Sequence, residues 1–146
     1  MNDSSAGTAT RPFDPARAGW DAVNARGFGE LIGPLWRRQD RESLRFGFVV
    51  APKHLNRAHT LHGGMLMTFA DQALGLTSRH ATGDKPHATI ELNVQFADNA
   101  RLGDFVEAQC EVVRATRSLM FMAAKMFVGP RVVGTANGIW KILGEP

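Results

Sequence analysis

The period of the apolar positions changes once along this chain, near residue 86. Upstream of it, residues 61–76 read LHGGMLMTFADQALGL, apolar on nearly every side when wound as a helix. The helix is expected from about Gly64 to Arg79, roughly 24 Å at ~1.5 Å per residue. Thr82-Gly83-Asp84-Lys85-Pro86 supplies the turn residues that end it. Downstream the period is two. In ATIELNVQF, Ile90, Leu92, Val94 and Phe96 are expected on one face of a half-buried strand, and Thr89, Glu91, Asn93 and Gln95 on the other. Further strands are expected at about 105–114, 118–128 and 131–143, separated by Arg114-Ala115-Thr116-Arg117 and by Gly129-Pro130. Links that short require an antiparallel meander. Earlier in the chain, SLRFGFVVA (43–51) reads as a first strand and FGELIGPLWRR (28–38) as a short helix interrupted at Gly33-Pro34.

A helix that is apolar nearly all round needs cover over most of its circumference. A strongly curved antiparallel sheet of five to six strands, wrapped around it, provides that cover. The fold class is therefore α+β. With 146 residues the chain is most simply one domain with a real core. That domain is expected over residues 28–146. Residues 1–27, rich in Ser, Gly, Thr and Pro at their start, are expected to be a flexible N-terminal arm. Sheet edges left over by such an arrangement favour pairing with a second copy of the chain.

Composition narrows the function by exclusion. The formal net charge is +3, and the 17 basic residues are spread along the chain, with Arg37, Arg38 and Arg41 broken up by Asp40 and Glu42. That argues against a nucleic-acid face. No apolar run approaches the ~20 residues of a membrane span, and the N-terminus lacks the basic-then-apolar pattern of a signal peptide. The single cysteine, Cys110, rules out an internal disulfide and fits a reducing cytoplasm; it alternates with Val106, Ala108 and Val112 as a buried strand thiol would. His59 and His62 are three residues apart, but no carboxylate or thiol completes a metal set around them. No metal and no cofactor is expected.

The chemistry is concentrated on the apolar helix. Asp71 sits in its middle, and an ionised carboxylate inside a protein costs several kcal/mol unless it is paired or hydrogen-bonded. At ~100° per residue, Gly64 lies about 20° from Asp71, Gly75 about 40° and Thr68 about 60°. The acid thus lies on a stripe of small residues, where a ligand or another backbone can come close. Gly63 and Gly64 open the helix and leave backbone N–H groups at its positive end, suited to an oxyanion or a polarised carbonyl.

Asn56, then Leu61-His62-Gly63-Gly64, then Asp71 eight residues after Gly63, resemble the hotdog-fold acyl-CoA thioesterases, in particular their phenylacetate-type and human THEM-type branch. The resemblance covers most of residues 44–143, including a T-x-E-L-N strand and a Leu102-Gly103-Asp104 connector, and none of residues 1–27. It implies a hotdog fold, with the helix inside and the curved sheet around it. It further implies a homodimer whose sheets join edge to edge with active sites shared between the chains, and a dimer of dimers, or homotetramer, beyond it. Carried over residue by residue, it makes Asp71 the general base or nucleophile of thioester hydrolysis. Gly63 becomes the amide that polarises the thioester carbonyl, and Asn56 a polar group near it. Thr89 becomes a hydroxyl that helps hold the attacking water, and His62 the motif histidine. Gly64 is expected to border the substrate, and Arg114 and Arg117, at a strand turn, to meet the phosphates of an acyl-CoA. The same fold also hosts dehydratases, hydratases and non-catalytic acyl-CoA-binding proteins. Binding without cleavage is the chief alternative.

Overall fold

The computed structural model describes residues 11–41 and 43–144. Its long helix, α2 (Gly63–Ala81), lies against an antiparallel sheet of seven strands. These are β1 (Asp21–Ala22), β2 (Trp36–Asp40), β3 (Ser43–Val49), β4 (His87–Phe96), β5 (Phe105–Ala115), β6 (Leu119–Val128) and β7 (Arg131–Ile142). Their spatial order is β1-β2-β3-β5-β6-β7-β4. This is the hotdog arrangement, with more strands than the five to six expected. The excess arises before β3. A five-residue helix, α1 (Phe28–Ile32), stops short of Pro34, whose ring cannot continue it. The residues after it, expected to stay helical to 38, instead run as β2 and pair with β3 from Trp36↔Gly47 to Asp40↔Ser43.

The core lies between α2 and the sheet. Along β6, Met120, Met122, Ala124 and Met126 point inward at every second position, as the period of two requires. They meet Leu66, Phe69, Ala70, Ala73 and Leu74 of α2, all of them buried. Phe69 packs edge-on against Phe48 of β3, ring centres 4.8 Å apart. Of the segment expected as an arm, residues 1–10 lie outside the described residues. The remainder is anchored on the sheet at a few points, most of its residues being exposed: β1 pairs with β2, and Trp20 is only 3% exposed, set edge-on to Phe105 with the Arg38 guanidinium over its ring. A buried Trp supplies enough apolar area to hold such a segment down.

One irregularity decides the geometry of the site. Along β4, Thr89 lies opposite Trp140 but Glu91 lies opposite Ile139, so Ile90 is an extra residue in a β-bulge. An extra residue reverses the facing of everything before it. Leu92 and Val94 keep the inward side that alternation assigns them, whereas Thr89, expected outward with Glu91 and Asn93, is turned toward α2. Ile90, expected inward, is 56% exposed. β4 is also the last strand of the sheet, so among the described residues its second edge has no partner.

Candidate functional site

Asp71 lies half-buried at the middle of α2, and its fixed donor comes from outside the helix. Thr89 Oγ1 donates to Asp71 Oδ1 at 2.7 Å. Thr68, the hydroxyl nearest on the helix itself, bonds the Gly64 carbonyl instead. Among the described residues nothing donates to Oδ2. The strand therefore fixes the carboxylate by one oxygen and leaves the other free. Thr89, the hydroxyl expected to help hold a water, is thus placed in direct contact with the acid.

The start of α2 is built by His62. Its Nδ1 accepts from the Gly64 N–H at 2.8 Å, and its carbonyl takes the Met65 and Leu66 amides. An N-cap side chain normally satisfies one of the orphan first-turn donors in this way. Gly63 is left: among the described residues its N–H has no acceptor. The Phe96 ring, from the far end of β4, lies over it, so that a Cβ on Gly63 would meet the ring at 3.3 Å. The amide of Gly64 is spoken for, and the His62 ring lies so close that a Cβ on Gly64 would meet its Nδ1 at 2.9 Å.

Asn56 belongs to the loop that delivers this helix. Its Oδ1 accepts from the Ala58 and Thr60 amides, and its Nδ2 donates to Thr60 Oγ1, so the side chain closes its own turn. Asn56, Gly63, Leu66, Phe96 and Asp98 line a cavity of about 200 Å³. At its rim the Asp98 carboxyl is held below the usual carboxylate range by the Asn99 amide and by Arg131, which also reaches Asp104.

These residues form two groups, not one. Gly63 and Asp71 are eight residues apart on one helix, ~12 Å along its axis. A single carbonyl held at hydrogen-bond distance from Gly63 cannot place its carbon beside Asp71 of the same chain. Arg114 and Arg117 are farther still. Ala115 shares a cross-strand row with Met120, Trp140 and Thr89. The hairpin they occupy is thus three strands from Thr89, ~14 Å at ~4.8 Å per strand.

Sequence reasoning missed two participants. Phe96 covers Gly63, and alternation alone gives no sign of this. His54 is buried beneath the loop: its Nδ1 accepts from the Ala51 amide and its Nε2 lies 2.6 Å from the Ile32 carbonyl. Because the Ala51 N–H must donate, Nε2 carries the proton and donates to Ile32, which fixes the tautomer. Burial pushes the His54 pKa down and keeps the ring neutral. His59 stands apart in the exposed loop, and the described residues contain no group of three or more His, Cys, Asp or Glu placed to hold a metal. The Cys110 thiol is pushed up to about 11 by burial, which leaves it a structural group rather than a nucleophile.

Residues 58–135 match the family model of the thioesterase superfamily. The chain is 32% identical over 115 residues to a protein of Pseudomonas aeruginosa that bears the name of an esterase, covering 77% of this chain and 86% of that one. It is 26% identical over 89 residues to acyl-coenzyme A thioesterase 13 of Mus musculus, covering 58% of this chain and 61% of that one. Among solved structures it superimposes on zebrafish thioesterase superfamily member 2 with a TM-score of 0.74, at 18% identity, over 82% of this chain and 89% of that one. No helix among the described residues is long and apolar enough to cross a membrane.

Proposed function

The chain belongs to the thioesterase superfamily, and from that premise we propose that it hydrolyses acyl-CoA thioesters to the free acid and CoA. The observation that carries the reading is the half-buried Asp71, fixed by Thr89 through one oxygen and open at the other. As general base, Asp71 Oδ2 takes a proton from a water whose oxygen attacks the thioester carbon. The carbonyl oxygen becomes an oxyanion facing the Gly63 N–H at the positive end of a helix. The carbon–sulfur bond then breaks, and the CoA thiolate leaves with the proton that Asp71 has held. As nucleophile, Asp71 would instead form an anhydride that water opens. Single turnover in ¹⁸O-water separates the two, since only the second can leave label in the protein carboxylate. The likeness to a relative named an acyl-coenzyme A thioesterase supports CoA as the carrier. Arg114 and Arg117 are proposed contacts for the phosphates of the CoA tail, which extends well beyond the thioester.

Each chain presents two half-sites, so the proposal requires two chains. Thr89 lies at one end of β4 and Phe96, over Gly63, at the other. Antiparallel pairing of β4 with its copy must match inward residues to inward residues. A two-fold beside Asn93 does so: Leu92 meets Val94, and the bulged Thr89–Ile90 pair meets Phe96 of the second copy. Asp71 of one chain then approaches Gly63 of the other. Pairing of such dimers into tetramers, and a cytoplasmic location fitting the single unpaired Cys110, complete the reading. The specified test is Asp71→Asn, which keeps shape and hydrogen bonding but removes basicity and nucleophilicity. Thiol release from acyl-CoA should fall ~10²–10⁴-fold, with the variant folded, associated and still binding acyl-CoA. Undiminished turnover per folded chain would refute the mechanism. Acyl-CoA binding by the unmodified protein with no thiol release from any thioester would make it a binding protein.

A further inference from the structure

Arg131 opens β7, and its guanidinium reaches back to the connector between β4 and β5 (97–104). It donates to the Asn99 carbonyl at 2.6 Å, meets the Asp98 carboxylate at 3.0 Å and lies 3.9 Å from that of Asp104. The backbone leaves Asp98 little freedom to move away. The Ala97 and Asp98 amides both donate to the Val133 carbonyl, and the Asp98 side chain accepts from the Asn99 amide. The same connector braces the start of α2: the Ala100 carbonyl takes the Leu61 amide, and Thr60 is bridged to Arg101. Asp98 and Asn99 thus line the cavity of about 200 Å³ that Gly63 also lines. Such a cavity is ~7 Å across, less than the Debye length of ~8 Å at physiological salt, so a charge on its wall is felt at the Gly63 amide. Asp98 is such a charge, and it has the wrong sign. An anion on that wall opposes any further negative charge formed at Gly63. Arg131 is the one cation in direct contact with it among the described residues; Arg101 acts on it only from farther away.

We propose that Arg131 is a positioning residue for the Gly63 half-site: by pairing with Asp98 it cancels the negative charge facing the Gly63 N–H, so that this amide can receive an oxyanion. The proposal rests on the thioesterase reading, in which that oxyanion is the former carbonyl oxygen of the thioester. Arg131 touches no reacting atom and acts through Asp98. A purely structural brace would behave differently. Loosening the connector exposes the Gly63 amide, whereas baring Asp98 places negative charge beside it. The two have opposite effects on hydroxide-catalysed exchange of the Gly63 amide proton. Loosening accelerates that exchange, and a negative potential, which repels hydroxide, slows it.

The test follows that exchange by NMR, together with thiol release from acyl-CoA, in four forms of the full chain: unmodified, Asp98→Asn, Arg131→Gln and the double variant. Arg131→Gln removes the charge and retains a side-chain donor. Exchange at Gly63 should slow about threefold or more in Arg131→Gln and return to the unmodified rate or above in the double variant. In parallel kcat should fall about tenfold in Arg131→Gln, with KM within about threefold. Adding Asp98→Asn should restore it, and added salt should restore part of it. Asp98→Asn alone should speed the exchange, and an unchanged rate there would overturn the proposal even if Arg131→Gln does not fold. Faster exchange in Arg131→Gln, or a loss of kcat that Asp98→Asn does not repair, would mark Arg131 as a structural brace and overturn the proposal. The expected exchange pattern without thioester cleavage by any form would uphold the action of Arg131 on Gly63 and remove the enzyme reading. Cleavage with exchange and kcat alike in all four forms would keep the enzyme and overturn the proposal.

Discussion

At the scale of single residues, the proposed site depends on a hydroxyl that faces inward only because of one inserted neighbour. Thr89 donates to Asp71 at 2.7 Å and touches no reacting atom in the proposed mechanism, so it is a positioning residue. Thr89→Ala should lower kcat about tenfold or more by releasing the carboxylate, whereas Thr89→Ser should restore most of it. Equal turnover in the two variants would show that the bond is incidental. His54 gives a second prediction, in pH. Its folded-state pKa lies below the ordinary 6.5, chiefly because burial penalises the charged ring. Below about pH 6.5 the unfolded chain takes up a proton there that the folded chain refuses. Stability is therefore complete above pH 6.5 and declines as pH falls toward the depressed folded-state value, where the decline stops. His54→Gln can donate to Ile32 and accept from Ala51 without titrating. Denaturant midpoints measured from pH 7.5 to 5 should fall less for His54→Gln than for the unmodified protein, and parallel curves would exclude His54 as a source of the slope.

At the scale of elements, α2 carries both the core and the proposed chemistry, and it does so on separate arcs. Met65, Leu66, Phe69, Ala70, Ala73 and Leu74 are buried, while Gly64, Thr68, Asp71 and Gly75 form a more exposed small-residue stripe whose Asp71 and Gly75 border β4 and β7. Ser78 breaks this division. It is fully buried, and its hydroxyl has no hydrogen-bond partner among the described residues. A buried polar group left unsatisfied costs ~1–3 kcal/mol. Ser78→Ala should accordingly raise stability by about 1 kcal/mol or more in chemical denaturation without altering turnover. A loss of stability would mean that the hydroxyl is satisfied in solution. The long strands followed the alternation of the sequence closely: β5, β6 and β7 begin and end within a residue or so of the expected positions. The segment 36–40 did not, because a five-residue strand next to Pro34 has too few positions to display a period, and its strandedness comes from pairing with β3.

At the scale of the molecule, the unpaired side of β4 is the prominent feature. An edge strand with Ile90 and Phe96 each 56% exposed is an adhesive surface unless something covers it. The proposed two-fold covers it with a second copy and brings the half-sites together. Ile90→Lys would set a charge against Phe96 of the other chain. Light scattering at micromolar concentration should show the unmodified protein as a dimer or larger and Ile90→Lys as a monomer, with thiol release lost in parallel. An unmodified protein that is monomeric and fully active would overturn the shared site.

The sequence by itself determined the α+β class, the apolar helix, the antiparallel meander and the acid on its small-residue stripe. Each of these is a matter of local period and composition, which a chain displays residue by residue. It also carried the Leu61-His62-Gly63-Gly64 start of the helix, although not the division of labour within it, in which His62 takes the Gly64 amide and leaves that of Gly63 free. What only the tertiary structure decided was facing and distance. The bulge at Ile90 exists because β4 has one residue too many for β7, a property of two strands together, and it reverses Thr89 toward Asp71. The burial of His54 and Trp20, and the Phe96 ring over Gly63, depend on elements more than twenty residues away in the chain. The separation of Gly63 from Asp71 follows from the ~1.5 Å rise of the helix that holds both. A motif read along the chain joins the two groups in one phrase; the rigid rod of α2 keeps them a dozen ångströms apart.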